Sequence, residues 1–196
     1  SSAIAADQEL LAAPMEWVAV VDGRPVRWVD RRVRVTRQAR GAIEFASTLA
    51  GDGLRIEGHG RMEFDGFIRL VFRVSSPDRQ RTRDRRERRV PLRKGVARLR
   101  HHFPKPSVWV KVDPNRLNAR AVPKEGWASP FIYHVWVGDE EKGLQWLCET
   151  DENWRPADPE RAIELVPEGD RATLKLNLIG RPTKLDRPRE YVFAFQ

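Results

Sequence analysis

Apolar and polar residues alternate along most of this chain with a period of two, the pattern of strands that bury one face. Fourteen prolines among 196 residues leave little room for helices. Asp65-Gly66 separates two alternating segments and predicts a tight hairpin, and Asp22-Gly23-Arg24-Pro25 predicts another. We therefore expect an all-β fold, an antiparallel two-sheet β-sandwich with little helix.

The predicted strands recur at intervals of roughly 8–12 residues without an obvious linker, so we expect a single β-sandwich domain over residues 1–196. Hydrophobic residues make up 40% of the chain, which is enough for a core and excludes a disordered protein. Val108–Val112 is one of the predicted strands, and residues 113–128 read as a long loop. Asp158-Pro159-Glu160-Arg161 predicts one short helical turn.

Positive charge is concentrated in one segment, Arg79–Arg89, which holds seven arginines and two acids in a chain of net charge +8. A basic stretch of this kind raises nucleic acids and acidic polysaccharides as partners. No aromatic residues interleave with these arginines, so the pattern favours a solvated edge strand or loop. Nucleic acid is therefore not expected as a partner.

The sequence does not contain the residue patterns that several kinds of functional site require. Cys148 is the one cysteine, and the four histidines do not have metal-ligand spacing. The longest uncharged run is too short to span a membrane, and no phosphate-binding or dinucleotide-binding loop is present. We expect no catalytic residues, no metal site, no cofactor and no membrane span in this chain.

The segment from Trp127 to Trp154 is the best candidate for a functional surface. Asp139-Glu140-Glu141 could supply a general acid and base, but consecutive acids between Gly138 and Gly143 are typical of a solvated turn. Trp136 and Trp146 fall on predicted strands and are expected in the core, whereas Trp154 follows a polar turn and is expected to be exposed. The candidate binding or docking residues are Trp154, Asp139, Glu140, Asp151 and Trp127.

Several motifs together resemble one family. Val135–Trp146 followed by Glu149–Trp154 is similar to a long signature in the N-terminal β-sandwich domain of proteins related to glycoside hydrolase family 123. Met62–Leu70, Val90–Lys94, Leu10–Pro14 and the final Leu185–Gln196 resemble shorter motifs of the same domain, with Lys142 and Thr150 departing from its pattern.

The resemblance implies a non-catalytic domain that supports or docks on a (β/α)₈ barrel encoded after residue 196. In family members of known activity that barrel removes terminal β-linked N-acetylgalactosamine by substrate-assisted chemistry, with its own Asp-Glu pair. The expected partner is this catalytic barrel, with carbohydrate as a further partner. Two alternatives stay open: a free-standing carbohydrate-binding module and a basic nucleic-acid-binding domain. The compartment stays open as well, and we favour a bacterial periplasmic or secreted location over the cytoplasm.

Overall fold

A computed structural model describes residues 4–5, 8–77, 82–102 and 120–196. The predicted strand Val108–Val112 lies outside these residues, as does part of the predicted loop 113–128. The only helix in the described part is the three-residue 3-10 turn Pro159–Arg161, which confirms the predicted short turn. The strands in chain order are β1 Ile4–Ala5, β2 Gln8–Glu9, β3 Glu16–Val21, β4 Arg24–Pro25, β5 Asp30–Ala39, β6 Ala42–Gly51, β7 Leu54–Glu63, β8 Ile68–Ser75, β9 Thr82–Arg93, β10 Leu99–His102, β11 Arg120–Ala121, β12 Trp127–Ser129, β13 His134–Gly138, β14 Gly143–Cys148, β15 Ile163–Glu168, β16 Arg171–Ile179, β17 Thr183–Lys184 and β18 Arg189–Phe195.

The strands form two antiparallel sheets that pack face to face, which confirms the predicted all-β sandwich. The larger sheet has the order β11-β10-β13-β14-β18-β8-β7-β6-β5. The smaller sheet has the order β12-β15-β16-β9-β3-β4, with β17 paired to β9, and β1 and β2 form a separate ribbon. Strands from both halves of the chain lie side by side, since β18 separates β14 from β8 and β9 separates β16 from β3.

Tight turns set the register of the hairpins in the first half of the chain. The predicted hairpins at Asp22-Gly23 and Asp65-Gly66 are both present. Asp22 and Gly23 both have positive φ, as do Asp52 and Gly53 in the turn between β6 and β7. Positive φ at both central residues is typical of the turns that match the strand twist, and Asp-Gly accepts it at low cost. As a result β5, β6, β7 and β8 follow one another as a meander.

The core fills the space between the two sheets. Trp17 of β3 contacts Phe72 of β8 edge-on, with ring centroids 5.1 Å apart, and Trp146 of β14 contacts Phe193 of β18 at 6.1 Å. Fully burying an apolar side chain contributes about 1.5–3 kcal/mol, so the inward residues account for most of the stability. Other fully buried apolar side chains are Leu11, Leu54, Leu92, Ile163, Leu165, Leu174, Leu176 and Leu178.

The arginine-rich segment differs from its prediction. Arg79 and Arg81 lie outside the described residues, and the described part forms β9, an interior strand paired with β3 and β16 rather than a solvated edge strand or loop. Arg86 and Arg88 point between the sheets and are buried. Glu87 faces the other way and forms ion pairs with Arg85 and Arg89, which lie two positions before and after it on the same face of the strand. The prediction fails because it assumed that every arginine in a charged run faces water. Instead the rings of Trp17 and Phe72 cover Arg88, and Glu87 pairs with two of the other arginines.

Candidate binding and docking site

The turn between β13 and β14 is held by one of the candidate acids. Asp139 Oδ1 accepts hydrogen bonds from the backbone N–H groups of Glu141 and Lys142, both at 2.9 Å. These hydrogen bonds hold the pKa of Asp139 below its usual range. Glu140 is exposed and forms an ion pair with Arg98 at 3.1 Å. Asp139 therefore stabilises the turn, and Glu140 ties the turn to the residue before β10.

The two glycines that flank this turn are required for a reason other than backbone freedom. Neither Gly138 nor Gly143 has a positive φ, so the turn does not depend on the backbone freedom of glycine. Instead the indole of Trp136 lies against both: a Cβ would come within 2.3 Å of this ring at Gly138 and 2.5 Å at Gly143. Trp136 is half-buried on the outer face of the larger sheet, so its predicted place in the core is wrong. Trp146 lies in the core as predicted.

Trp154 is buried, which contradicts its predicted exposure. Only 4% of the residue is accessible, and its ring lies 5.2 Å from that of Phe131 and 6.2 Å from that of Trp146. The backbone carbonyl of Asp151 accepts a hydrogen bond from the Trp154 N–H at 2.9 Å, which closes the preceding turn. The polar residues before Trp154 correctly indicated a turn. They carried no information on the direction of the next side chain, which the turn returns to the core.

A small cavity of about 280 Å³ lies beside Trp154 and Asp151. Arg155 lines it and donates a hydrogen bond to the Trp154 carbonyl at 2.6 Å. Arg181 also lines it and donates to the Ala157 carbonyl at 3.2 Å. These guanidinium groups therefore hold the loop itself. The volume is just below the usual range of small-molecule sites, about 300–1,000 Å³, so a ligand role for Asp151 stays a prediction.

Trp127 lies on β12 and is half-buried. The guanidinium of Arg100 sits 4.8 Å from its ring centroid, and the ring of His102 lies 4.9 Å away. Arg100 also donates a hydrogen bond to Nδ1 of His102 at 3.1 Å. Burial, and then the charge of Arg100, lower the pKa of His102 to about 4, so this imidazole is neutral at pH 7. Arg100 thus lies against one face of the Trp127 ring, and a binding role for Trp127 stays a prediction.

The structure does not gather the candidate residues into one site. Asp139 and Glu140 precede β14, whereas Asp151 and Trp154 follow its other end, and Trp127 lies on the edge strand of the smaller sheet. Within the described ranges, no group of three or more metal-ligating side chains is placed to hold an ion. Burial raises the pKa of the Cys148 thiol to about 12. No described helix is long and apolar enough to cross a membrane.

Sequence reasoning missed the main uncovered surface. The larger sheet extends past the smaller one: its edge strand β5 is exposed along nearly its whole length, and the face of β5 and β6 that carries Val33, Val35 and Phe45 is only partly covered. We call this surface the open face. Large apolar residues are exposed on it and on its flanking turns: Val29, Val33, Val35, Met62 and Phe64. Exposed valines at alternate positions of a strand were the available signal, but in the sequence they look like any core-facing pair.

One family model matches the N-terminal part of the chain. Residues 2–98 match the model described as glycoside hydrolase 123, third domain, a stretch that includes β1 to β9 and stops just before β10. The signature between Val135 and Trp154 lies beyond the matched residues. No curated protein matches the chain. The match agrees with the family that the motifs resemble: residues 2–98 are similar to the third domain of glycoside hydrolase 123 proteins.

Proposed function

We propose that this chain is a non-catalytic accessory β-sandwich of a multidomain glycoside hydrolase, and that its open face packs against the catalytic domain. The family description names a third domain, so a domain of this type belongs to a protein with others. The proposal includes residues 1–196 acting as one unit at the N-terminal side of a (β/α)₈ barrel. The open face is the observation that carries it.

The exposed apolar side chains of the open face favour a contact with another protein domain. Val33 is 76% exposed and Val35 62% exposed on the same face of β5. Contiguous apolar surface of this kind usually marks a contact with another protein surface. Each valine would contribute on the order of 1 kcal/mol or more once covered. The paired strand β6 presents Phe45 beside them, only partly buried. A second layer on these strands would complete the sandwich where the smaller sheet ends.

The charges around the open face indicate what its partner carries. Arg31, Arg32, Arg34 and Arg37 are exposed along β5. Arg32 pairs with Asp30 at 2.8 Å, and Arg37 reaches Glu44 at 3.8 Å, at the margin of an ion pair. Arginine is enriched at protein interfaces because it forms bidentate contacts with carboxylates. The matching surface of the catalytic domain should therefore have an apolar centre and an acidic rim.

Hydrogen–deuterium exchange tests the docking role. Amides of β5 and β6 should exchange more slowly in the full-length protein than in the isolated chain, since the catalytic domain would cover them. Val35→Asp should remove this extra protection, because it places a carboxylate in an apolar contact. The matched control is Tyr133→Asp, another exposed apolar residue that lies next to β13. Equal exchange of β5 in the two proteins would contradict the proposal.

The non-catalytic part of the proposal has its own test. Purified chain should not hydrolyse an aryl β-N-acetylgalactosaminide, because the Asp139 carboxylate is engaged in its own turn and Glu140 pairs with Arg98 at the surface. Turnover by the chain that disappears in Asp139→Asn or Glu140→Gln would show that these carboxylates are catalytic after all.

A further inference from the structure

A cleft of about 610 Å³ lies where the smaller sheet ends, between β3 and the open face. Its volume is typical of small-molecule sites. Three aromatic residues line it together with aliphatic side chains and a buried arginine. The principal lining residues are Trp17, Trp28, Leu49, Ile56, Phe72 and Arg88.

Arg88 is the unusual group in this cleft. Only 9% of the residue is exposed, and its guanidinium lies 5.4 Å from the ring centroid of Trp17 and 5.5 Å from that of Phe72. Within the described structure its Nε donates no hydrogen bond, and the Glu16 carboxylate, which also lines the cleft, attracts the guanidinium without forming an ion pair with it. Buried charged groups are normally paired and hydrogen-bonded. A guanidinium held between two rings in a cleft is thus placed to receive an anion.

The chemistry of the walls narrows the choice of anion. A carboxylate matches the fork of a guanidinium with two parallel hydrogen bonds. Trp17 and Phe72 are buried and hold Arg88, so the partly exposed indole of Trp28 offers the ring face, and its hydrogen bond to the Trp17 carbonyl at 3.0 Å fixes it in place. Arg31 and Arg32 stand at the cleft and add positive potential that attracts an acidic ligand. The best match is a ligand with a carboxylate on a compact ring.

We propose that this cleft binds a hexuronic acid residue of an acidic glycan, with its carboxylate on Arg88 and its sugar ring against the aromatic wall. Burial lowers the pKa of Arg88 to about 10, and a carboxylate would restore the interactions that the guanidinium lost on leaving water. The site goes beyond the docking role. Val33 belongs to both the cleft and the open face, so the test uses this chain alone, where no catalytic domain covers the cleft, and failure of either proposal leaves the other standing.

Isothermal titration calorimetry with matched small probes tests the site. Methyl β-D-glucuronide should bind at least tenfold more tightly than methyl β-D-glucoside, which lacks the carboxylate, and than acetate, which lacks the ring. Arg88→Met should weaken glucuronide binding at least tenfold, and Arg88→Lys should weaken it too because lysine keeps the charge but not the fork. Arg98→Gln removes one exposed positive charge elsewhere and should change the affinity less than twofold.

Four results would overturn the proposal. The first is the absence of glucuronide binding to the unmodified chain. The second is unchanged affinity in Arg88→Met. The third is acetate binding as tightly as glucuronide, which would indicate a site for any carboxylate, including an acidic side chain of another domain. Indole N–H shifts of Trp17 and Trp28 in NMR titrations of the unmodified chain locate the ligand without any variant, and shifts confined to other tryptophans would also exclude the cleft.

Discussion

Replacing Arg88 with methionine should stabilise the ligand-free chain. Burial lowers the pKa of this arginine to about 10, and since each pKa unit is worth about 1.4 kcal/mol, the charged form carries a penalty on the order of 3 kcal/mol. The cation–π contacts with Trp17 and Phe72 stabilise the charged guanidinium by about 1–2 kcal/mol, which offsets part of this penalty. Methionine has a similar length, removes the charge and contacts aromatic rings favourably through sulfur. We expect a net gain of about 1–2 kcal/mol in the free energy of unfolding.

Urea denaturation followed by tryptophan fluorescence measures this change, with Arg98→Gln as the control for loss of one positive charge. The expected gain raises the midpoint at an unchanged slope, and the control stays within about 0.5 kcal/mol of the unmodified chain. A loss of more than 1 kcal/mol in Arg88→Met would refute the reasoning, since it would mean that the guanidinium contributes more to the fold than its burial costs.

Three further predictions concern single side chains. Trp154→Ala should cost about 3–5 kcal/mol as a core truncation, more than Trp136→Ala, because Trp154 is buried and Trp136 is half-exposed; denaturant midpoints measure both, and equal costs would contradict the packing described for Trp154. The Cys148 thiol should resist Ellman's reagent at pH 8 until the chain is unfolded, because burial raises its pKa to about 12; fast labelling of the native chain would show that the thiol is open. His102 should titrate near pH 4 by NMR, because burial lowers its pKa in the folded chain. The folded pKa is lower than the unfolded pKa of about 6.5, so His102 contributes fully to stability above pH 6.5, and this contribution is lost as the pH falls towards 4. A folded pKa above 6 would exclude burial of His102 beside Arg100.

Local patterns in the sequence predicted the sandwich well, because strand alternation and Asp-Gly turns depend on neighbouring residues alone. The alternating runs Leu144–Cys148 and Tyr191–Phe195 predict strands, and β14 and β18 match them to within two residues at each end. The same reasoning failed for β9, where the position of a strand in the sheet decides whether an arginine meets water or a ring. Pairing of β9 with β16 joins residues 78 to 93 positions apart, and an alternation of period two contains no information on such a partner.

The candidate site was harder to predict than the fold. Trp136 and Trp154 exchanged their expected environments: the strand residue lies on the outer face against two glycines, and the turn residue lies in the core. Alternation says which residues share a face, but the choice between inner and outer face depends on the opposing sheet. The Arg88 cleft also depends on where the smaller sheet ends, which no segment of the sequence specifies alone.

The meander of β5 to β8 also bears on the order in which the chain folds. Each of its pairings closes a loop of a few residues, so it can form from local contacts between residues 30 and 75. The smaller sheet depends instead on distant partners, since Glu16 pairs with Arg89 and Arg171 with Arg93. We expect the meander to form first. Its inner face, which includes Phe72, would then be the surface against which β3 and β9 pack. Closure of the smaller sheet, which must bury Arg86 and Arg88, would then be the slow step.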